Sequence, residues 1–435
     1  MNYAYKPVGL IGKSANKSLS WPIWLMCFLL MLPVMLSPFV GTVVSSVLIL
    51  FSVVSWMFSM KVNPPYVIKL ILPFLLLLMI GSVGILSNKN YDVFKDVWYV
   101  ANPLLIMLAG FVLMYNLRDF TRLSRAFVIV GVITSLFHLI KFVLHPELLS
   151  MSANDLRNSA GRGYLISILS IGLLVVSWKM KCYLFIAGRW LDSLFFLICG
   201  ASFVMSFSRE MTLSLLLFLG CIMGYIQFID TRRLVKFTIA AVLGLSLLLT
   251  MPVPSYVNQQ STFVDKILYS IQEMKVKDYT SLRDINTNWR GYETARALNT
   301  YRQGEYWQYL VGQGFGTSVD LGLYMPMGDE YIRFAPILHN GYMFLLVKMG
   351  ALGVMLYLGF LVSLVKIGNI CSRSNDIEEK YTGRLIVGLA CVIFTSTFVI
   401  SGIFNKEVMI AVELLLGAMV ANAARQCEKD GDASA

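Results

Sequence analysis

The chain has 435 residues, 57% of them hydrophobic and only 14% charged, with a mean hydropathy of +0.69. A soluble domain carries about a quarter charged residues, so the composition excludes an ordinary soluble protein and describes an integral membrane protein. The net charge of +11 would point to nucleic acid in a soluble chain; here it is read first against the loops between apolar runs.

The N-terminus places Lys6, Lys13 and Lys17 ahead of a long apolar run that contains Pro33 and Pro38 and has no small-x-small cleavage site, which reads as an uncleaved first span. A spanning helix needs about 20 apolar residues. On that criterion the chain divides into about twelve spans, the first five near 21–39, 41–60, 66–86, 97–115 and 126–144. Four more follow near 164–178, 183–207, 211–229 and 234–251, then a long polar segment, then 341–366, 384–402 and 408–424. With the N-terminus inside, the inner segments hold more than half of the 36 Lys and Arg residues, and the short outer loops hold few. The basic balance is therefore topological, both termini are expected in the cytoplasm, and nucleic acid is not an expected partner. The predicted fold class is an all-α polytopic membrane protein of about 12 transmembrane helices, with one long periplasmic segment containing short helices. Its divisions are 1–251 (helices 1–9), 252–340 (the long segment) and 341–435 (helices 10–12 and a cytoplasmic tail).

The 252–340 segment has eight basic and nine acidic residues. Phe263, Ile267, Leu268, Ile271 and Met274 recur at helical spacing and predict an amphipathic helix over 261–276. A second helix is predicted over 289–303 with Asn288 as its N-cap. Gly312, Gly314 and Gly316 mark an irregular turn, and 317–340 reads as loop leading into the next span. No two of the seven cysteines are spaced C-x-x-C, and none lies in this segment. The chain has no H-E-x-x-H, G-x-S-x-G or nucleotide-binding pattern, so no metal and no cofactor is expected.

Three residues stand out. Arg290 falls in the first turn of the second helix, where a cation is unfavourable by about 0.3–1 kcal/mol unless an anion accompanies it; a guanidinium beside unpaired backbone N–H groups makes a phosphate cradle. The bland alternative is a surface pair with Glu293. Arg209 ends the turn Ser206-Phe207-Ser208-Arg209 between two apolar runs, where charge is costly unless it snorkels or has a partner; the alternative is a turn pair with Glu210. His339, one of three histidines, stands with Asn340 at the mouth of a span and is suited to accept a proton from a hydroxyl. The alternative is a satisfied structural histidine. Tyr292, Tyr301, Trp307, Tyr309, Phe315 and Tyr324 make the segment aromatic, suiting either sugar faces or packing onto the spans. The apolar runs hold few ionisable groups, chiefly Lys348 and Glu413, and show no internal repeat, which argues against an ion-coupled carrier.

Taken in order, the Ser-x-Ser-Arg turn, Arg290 in the polar segment, the Gly312–Gly316 turn, and His339-Asn340 opening a span with the step Gly350-Ala351-Leu352-Gly353 resemble the O-antigen polymerase (Wzy) and O-antigen ligase (WaaL) superfamily of bacterial polysaccharide-assembly proteins. The likeness covers about residues 200–366; Lys348 departs from it. What the resemblance implies is metal-independent glycosyl transfer at the periplasmic face of the inner membrane, with undecaprenyl-pyrophosphate-linked oligosaccharide as donor. It further implies Arg209, Arg290 and His339 as catalytic residues, and Arg157, Arg162, Tyr292 and Asn340 as substrate-binding residues. The expected activity is polymerisation of O-antigen, capsule or exopolysaccharide repeat units, with a chain-length regulator as a candidate partner. The alternatives are a ligase acting on lipid A core and, from another class, a lipid-linked oligosaccharide flippase or small-molecule transporter.

Overall fold

The computed structural model describes residues 64–150, 165–185, 188–228, 277–279, 281–327, 330–404 and 408–433, together with Cys27, Leu30, Met31 and Glu273. The expected spans 21–39, 41–60 and 234–251 and the amphipathic helix 261–276 lie almost wholly outside the described residues.

Apolar runs become helices α1 (Pro64–Gly81), α2 (Asn90–Leu117), α3 (Phe120–Leu144), α4 (Leu165–Lys179), α5 (Arg189–Met205) and α6 (Arg209–Met223). In the polar segment stand α7 (Leu282–Thr287), α8 (Trp289–Arg302) and the single turn α9 (Gln308–Val311). The chain closes with α10 (Gly341–Cys371), α11 (Ile377–Ile400) and α12 (Ile410–Ala433). Five of these, over Pro65–Leu86, α2, α3, α10 and α11, are long and apolar enough to cross a membrane. Polar caps set the starts of α3 and α11: Asp119 accepts from the Arg122 amide at 3.0 Å, Asp376 from the Glu379 amide at 2.9 Å. Pro73 and Pro103 sit inside α1 and α2, as long apolar helices tolerate when neighbours cover the break.

The helices pack through small residues. Gly110 of α2 lies against the Leu414 carbonyl of α12 and Gly417 of α12 against the Met107 carbonyl of α2, with no room for a Cβ at either. Gly368 and Gly383 do the same between α10 and α11.

One expectation fails. Residues 317–340 are not all loop, because β1 (Val319–Met327) and β2 (Glu330–Ala335) form an antiparallel hairpin whose register shifts between Asp320 and Met325. Val319, Leu321, Met325 and Ala335 bury inward with Tyr292 and Ala297 of α8 and Val347 of α10. Asp320 fastens the hairpin from outside. Its carboxylate accepts from Arg333 Nε at 2.9 Å and Nη2 at 3.0 Å and from the Gly322 amide at 2.8 Å. The Arg333 guanidinium, helped by that amide, holds the Asp320 carboxyl well below the usual carboxylate range.

The glycine turn joins the polar segment to the helices. Gly312, Gly314 and Gly316 have φ of 77°, 84° and 88°, which disfavours any side chain there. α10 breaks at Gly350, at φ 64°, and such a break strips helical partners from the carbonyls of the preceding turn. The glycine turn supplies them: the Gln313 amide donates to Val347 O at 2.9 Å and the Gly314 amide to Lys348 O at 3.0 Å. Phe315 donates its amide to Gly81 O at 2.7 Å and buries its ring against Gly81. Lys348 also finds its place here. Its ammonium pairs with Asp96 of α2, which accepts the Gly316 amide on the same oxygen at 2.6 Å. Both side chains are buried, at 3% and 1% exposure, so a buried charge pair ties α2, α10 and the glycine turn together.

Candidate functional site

Each of the three residues singled out from sequence sits at a helix start. Arg209 is the first residue of α6, whose N-cap Ser208 accepts from the Met211 amide at 3.3 Å. The residue before that cap, Phe207, has φ 43° without being glycine, a left-handed conformation costing about 1–3 kcal/mol. Its ring packs with Met205 against Phe142 and Leu148. The Ser-x-Ser-Arg turn is thus held in a costly shape by packing on one side and capping on the other.

Arg290 is the second residue of α8. Asn288 occupies the predicted N-cap position but uses its amide to donate to Asp284 O at 3.0 Å and Asp284 Oδ1 at 2.8 Å, making no side-chain cap. It closes α7 and opens α8, and so fixes the angle at which Arg290 leaves the chain.

His339 is held from two directions. Ser401, at the end of α11 with φ 68°, donates its amide to His339 O at 2.5 Å and its hydroxyl to Leu338 O at 2.5 Å. On the other side stands Glu293, one turn along α8 from Arg290 and 1% exposed. Its carboxylate accepts from the His339 amide at 2.8 Å and lies 3.2 Å from His339 Nδ1. A carboxylate only accepts, so Nδ1 is the donor, and in the neutral imidazole Nε2 then presents a lone pair. The His339 side chain is 45% exposed, so that lone pair is reachable.

The two arginines meet on one carboxylate. Arg209 Nη2 donates to Glu273 Oε2 at 2.8 Å, and Arg290 Nε stands 3.8 Å from Glu273 Oε1. All three side chains are partly open, at 24%, 28% and 17% exposure. Glu210 adds a second acid near Arg290, its carboxylate accepting from the Ser214 hydroxyl at 3.0 Å. The anion that a guanidinium at a helix start calls for is therefore present as Glu273.

The structure gives the remaining candidates other surroundings. Asn340 caps α10, accepting from the Tyr342 amide at 3.1 Å and the Met343 amide at 3.4 Å. Tyr292 is 8% exposed and donates its hydroxyl to Leu321 O, so its phenol is raised by desolvation. Tyr279 meets it edge-on with ring centroids 5.1 Å apart, and burial and then the Asp284 charge push its phenol up to about 12. Arg157 and Arg162 lie outside the described residues. His138 is buried 3.0 Å from the Ser202 hydroxyl, and His145 pairs with Glu147 at 3.1 Å in the open. Among the described residues no three His, Cys, Asp or Glu side chains group as metal ligands.

Sequence reading missed Glu273 and Glu293. Glu293 was weighed only as a neighbour of Arg290 on α8, and its actual partner is 46 positions away. The arrangement as a whole offers two cations for an anion and a carboxylate-oriented imidazole for a proton. No protein-family model matches the chain, and no curated protein matches it in sequence.

Proposed function

We propose that the chain is a glycosyltransferase that polymerises repeat units of a surface polysaccharide, using undecaprenyl-pyrophosphate-linked oligosaccharide as donor at the periplasmic face of the bacterial inner membrane. The observation that carries this reading is the linkage of Arg209, Arg290 and His339 through Glu273 and Glu293. Two guanidiniums share one anion, and one turn along the same helix a buried carboxylate holds an imidazole that stays 45% exposed. In the wider proposal about twelve spans cross the membrane, both termini are cytoplasmic, and 252–340 is the periplasmic segment.

The chemistry follows from those roles. An acceptor sugar hydroxyl attacks the anomeric carbon, and the bond from that carbon to the diphosphate oxygen breaks. The diphosphate leaves with the bonding electrons, and Arg209 and Arg290 stabilise the charge that gathers on it. His339 Nε2 takes the hydroxyl proton, and Glu293 stabilises the imidazolium that forms. Three helix starts at the site add positive ends of backbone dipoles to the same task. The test is purified protein in proteoliposomes given undecaprenyl-pyrophosphate-linked repeat unit in EDTA buffer. Polymer made by the native chain and lost in His339→Ala supports the reading; no polymer, or polymer only after divalent ions are restored, contradicts it.

A further inference from the structure

The pair Arg209 and Arg290 does not wait empty for a phosphate. Glu273 aims one oxygen at each guanidinium, which is what two oxygens of a phosphate would do on the same fork of donors. The hold is uneven. Arg209 Nη2 donates to Glu273 at 2.8 Å, whereas Arg290 Nε stands 3.8 Å from its other oxygen. Glu273 thus already neutralises part of the charge of the pair. A dianionic diphosphate entering such a neutralised site gains little attraction unless a carboxylate gives way. Among the described residues Glu273 bridges both arginines, and its partial exposure lets water replace them around it.

We infer that Glu273 is the resident counter-anion of this site: its carboxylate holds the place of a phosphate oxygen, a diphosphate enters by exchange with it, and its return expels the diphosphate product. This rests on the diphosphate reading above and adds to it a residue that sets affinity and release. A ligand with more charge than one carboxylate competes well, and a diphosphate meets that condition. The exchange also explains how a site with two arginines releases a spent diphosphate between turnovers.

The test uses the full chain in detergent at fixed ionic strength, with inorganic pyrophosphate as the calorimetric probe. Thermal melts identify the folded variants. Glu273→Gln removes the competing charge and is expected to bind pyrophosphate about tenfold more tightly or better. Glu273→Asp keeps the charge but is too short to span both guanidiniums; it is expected to fall between Gln and the native chain, and serves if Gln does not fold. In repeat-unit polymerisation Glu273→Gln should lower KM and kcat together, as expected when product is retained, which a merely structural glutamate would not do. Folded variants that bind pyrophosphate no more tightly than the native chain overturn the role given to Glu273. If neither native nor variant protein binds pyrophosphate, the diphosphate reading itself fails, so the two failures are separable.

Discussion

The buried pair Asp96–Lys348 makes a quantitative claim about how the polar segment is fixed to the helices. Replacing Lys348 by Met leaves the Asp96 carboxylate at 1% exposure with the Gly316 amide as its remaining donor of the two. Breaking a buried pair on one side costs about 3–5 kcal/mol, because the other charge stays without compensation. Asp96→Leu should cost a similar amount by stranding the ammonium. The double variant Asp96→Leu/Lys348→Met removes both charges and leaves the Gly316 amide without its acceptor, a cost of about 1–3 kcal/mol. The double variant should therefore be more stable than either single one, with a coupling of several kcal/mol. The measurement is the unfolding midpoint of all four proteins in one detergent, read by loss of helicity and by thiol labelling of the buried Cys199 and Cys371. A double variant at least as unstable as the sum of the singles would refute the argument that compensation of charge, rather than shape, holds the junction.

Two further outcomes are expected at the site, and one for its placement. Arg290→Lys should impair polymerisation nearly as much as Arg290→Ala, since a lysine offers no planar fork; full activity in the Lys variant would remove the role given to the guanidinium. Glu293→Gln keeps the size of the side chain but loses its charge on His339, and should slow polymerisation by roughly 10–100-fold, the equivalent of one charge-assisted hydrogen bond. Unchanged rates would make Glu293 structural only. A reporter fused after residue 300 should read periplasmic, and a cytoplasmic signal would move the whole site to the wrong face.

How far the chain could be read in advance depended on distance along it. Apolar runs announce helices because burial in lipid leaves few other choices for the backbone, and the expected spans that fall on described residues are helical. The span expected at 97–115 starts earlier: α2 begins at Asn90 and carries Asp96 inside, where Lys348, 252 positions on, compensates it. The hairpin was hidden for a similar reason. Gly322 and Pro326 interrupt its alternation, and the surfaces it packs on belong to α8 and α10. Arg209, Arg290 and His339 stand out by residue type and position, and each lies at a helix start. Their partners do not, since Glu273 lies 64 positions from Arg209 and no local pattern selects it. Residues that cap or close turns, such as Asn340, look the same in sequence as residues that touch substrate.

A gel of surface glycolipid from the native host carrying a deletion of this gene, complemented with the native chain or with Arg290→Ala, decides whether the chain joins repeat units. Core bearing a single repeat unit and no ladder is expected in the deletion and in the Arg290→Ala strain, with the ladder restored by the native chain. Bare core with long lipid-linked glycan would instead mean transfer to lipid A core, and an unchanged ladder would contradict a role in O-antigen assembly altogether.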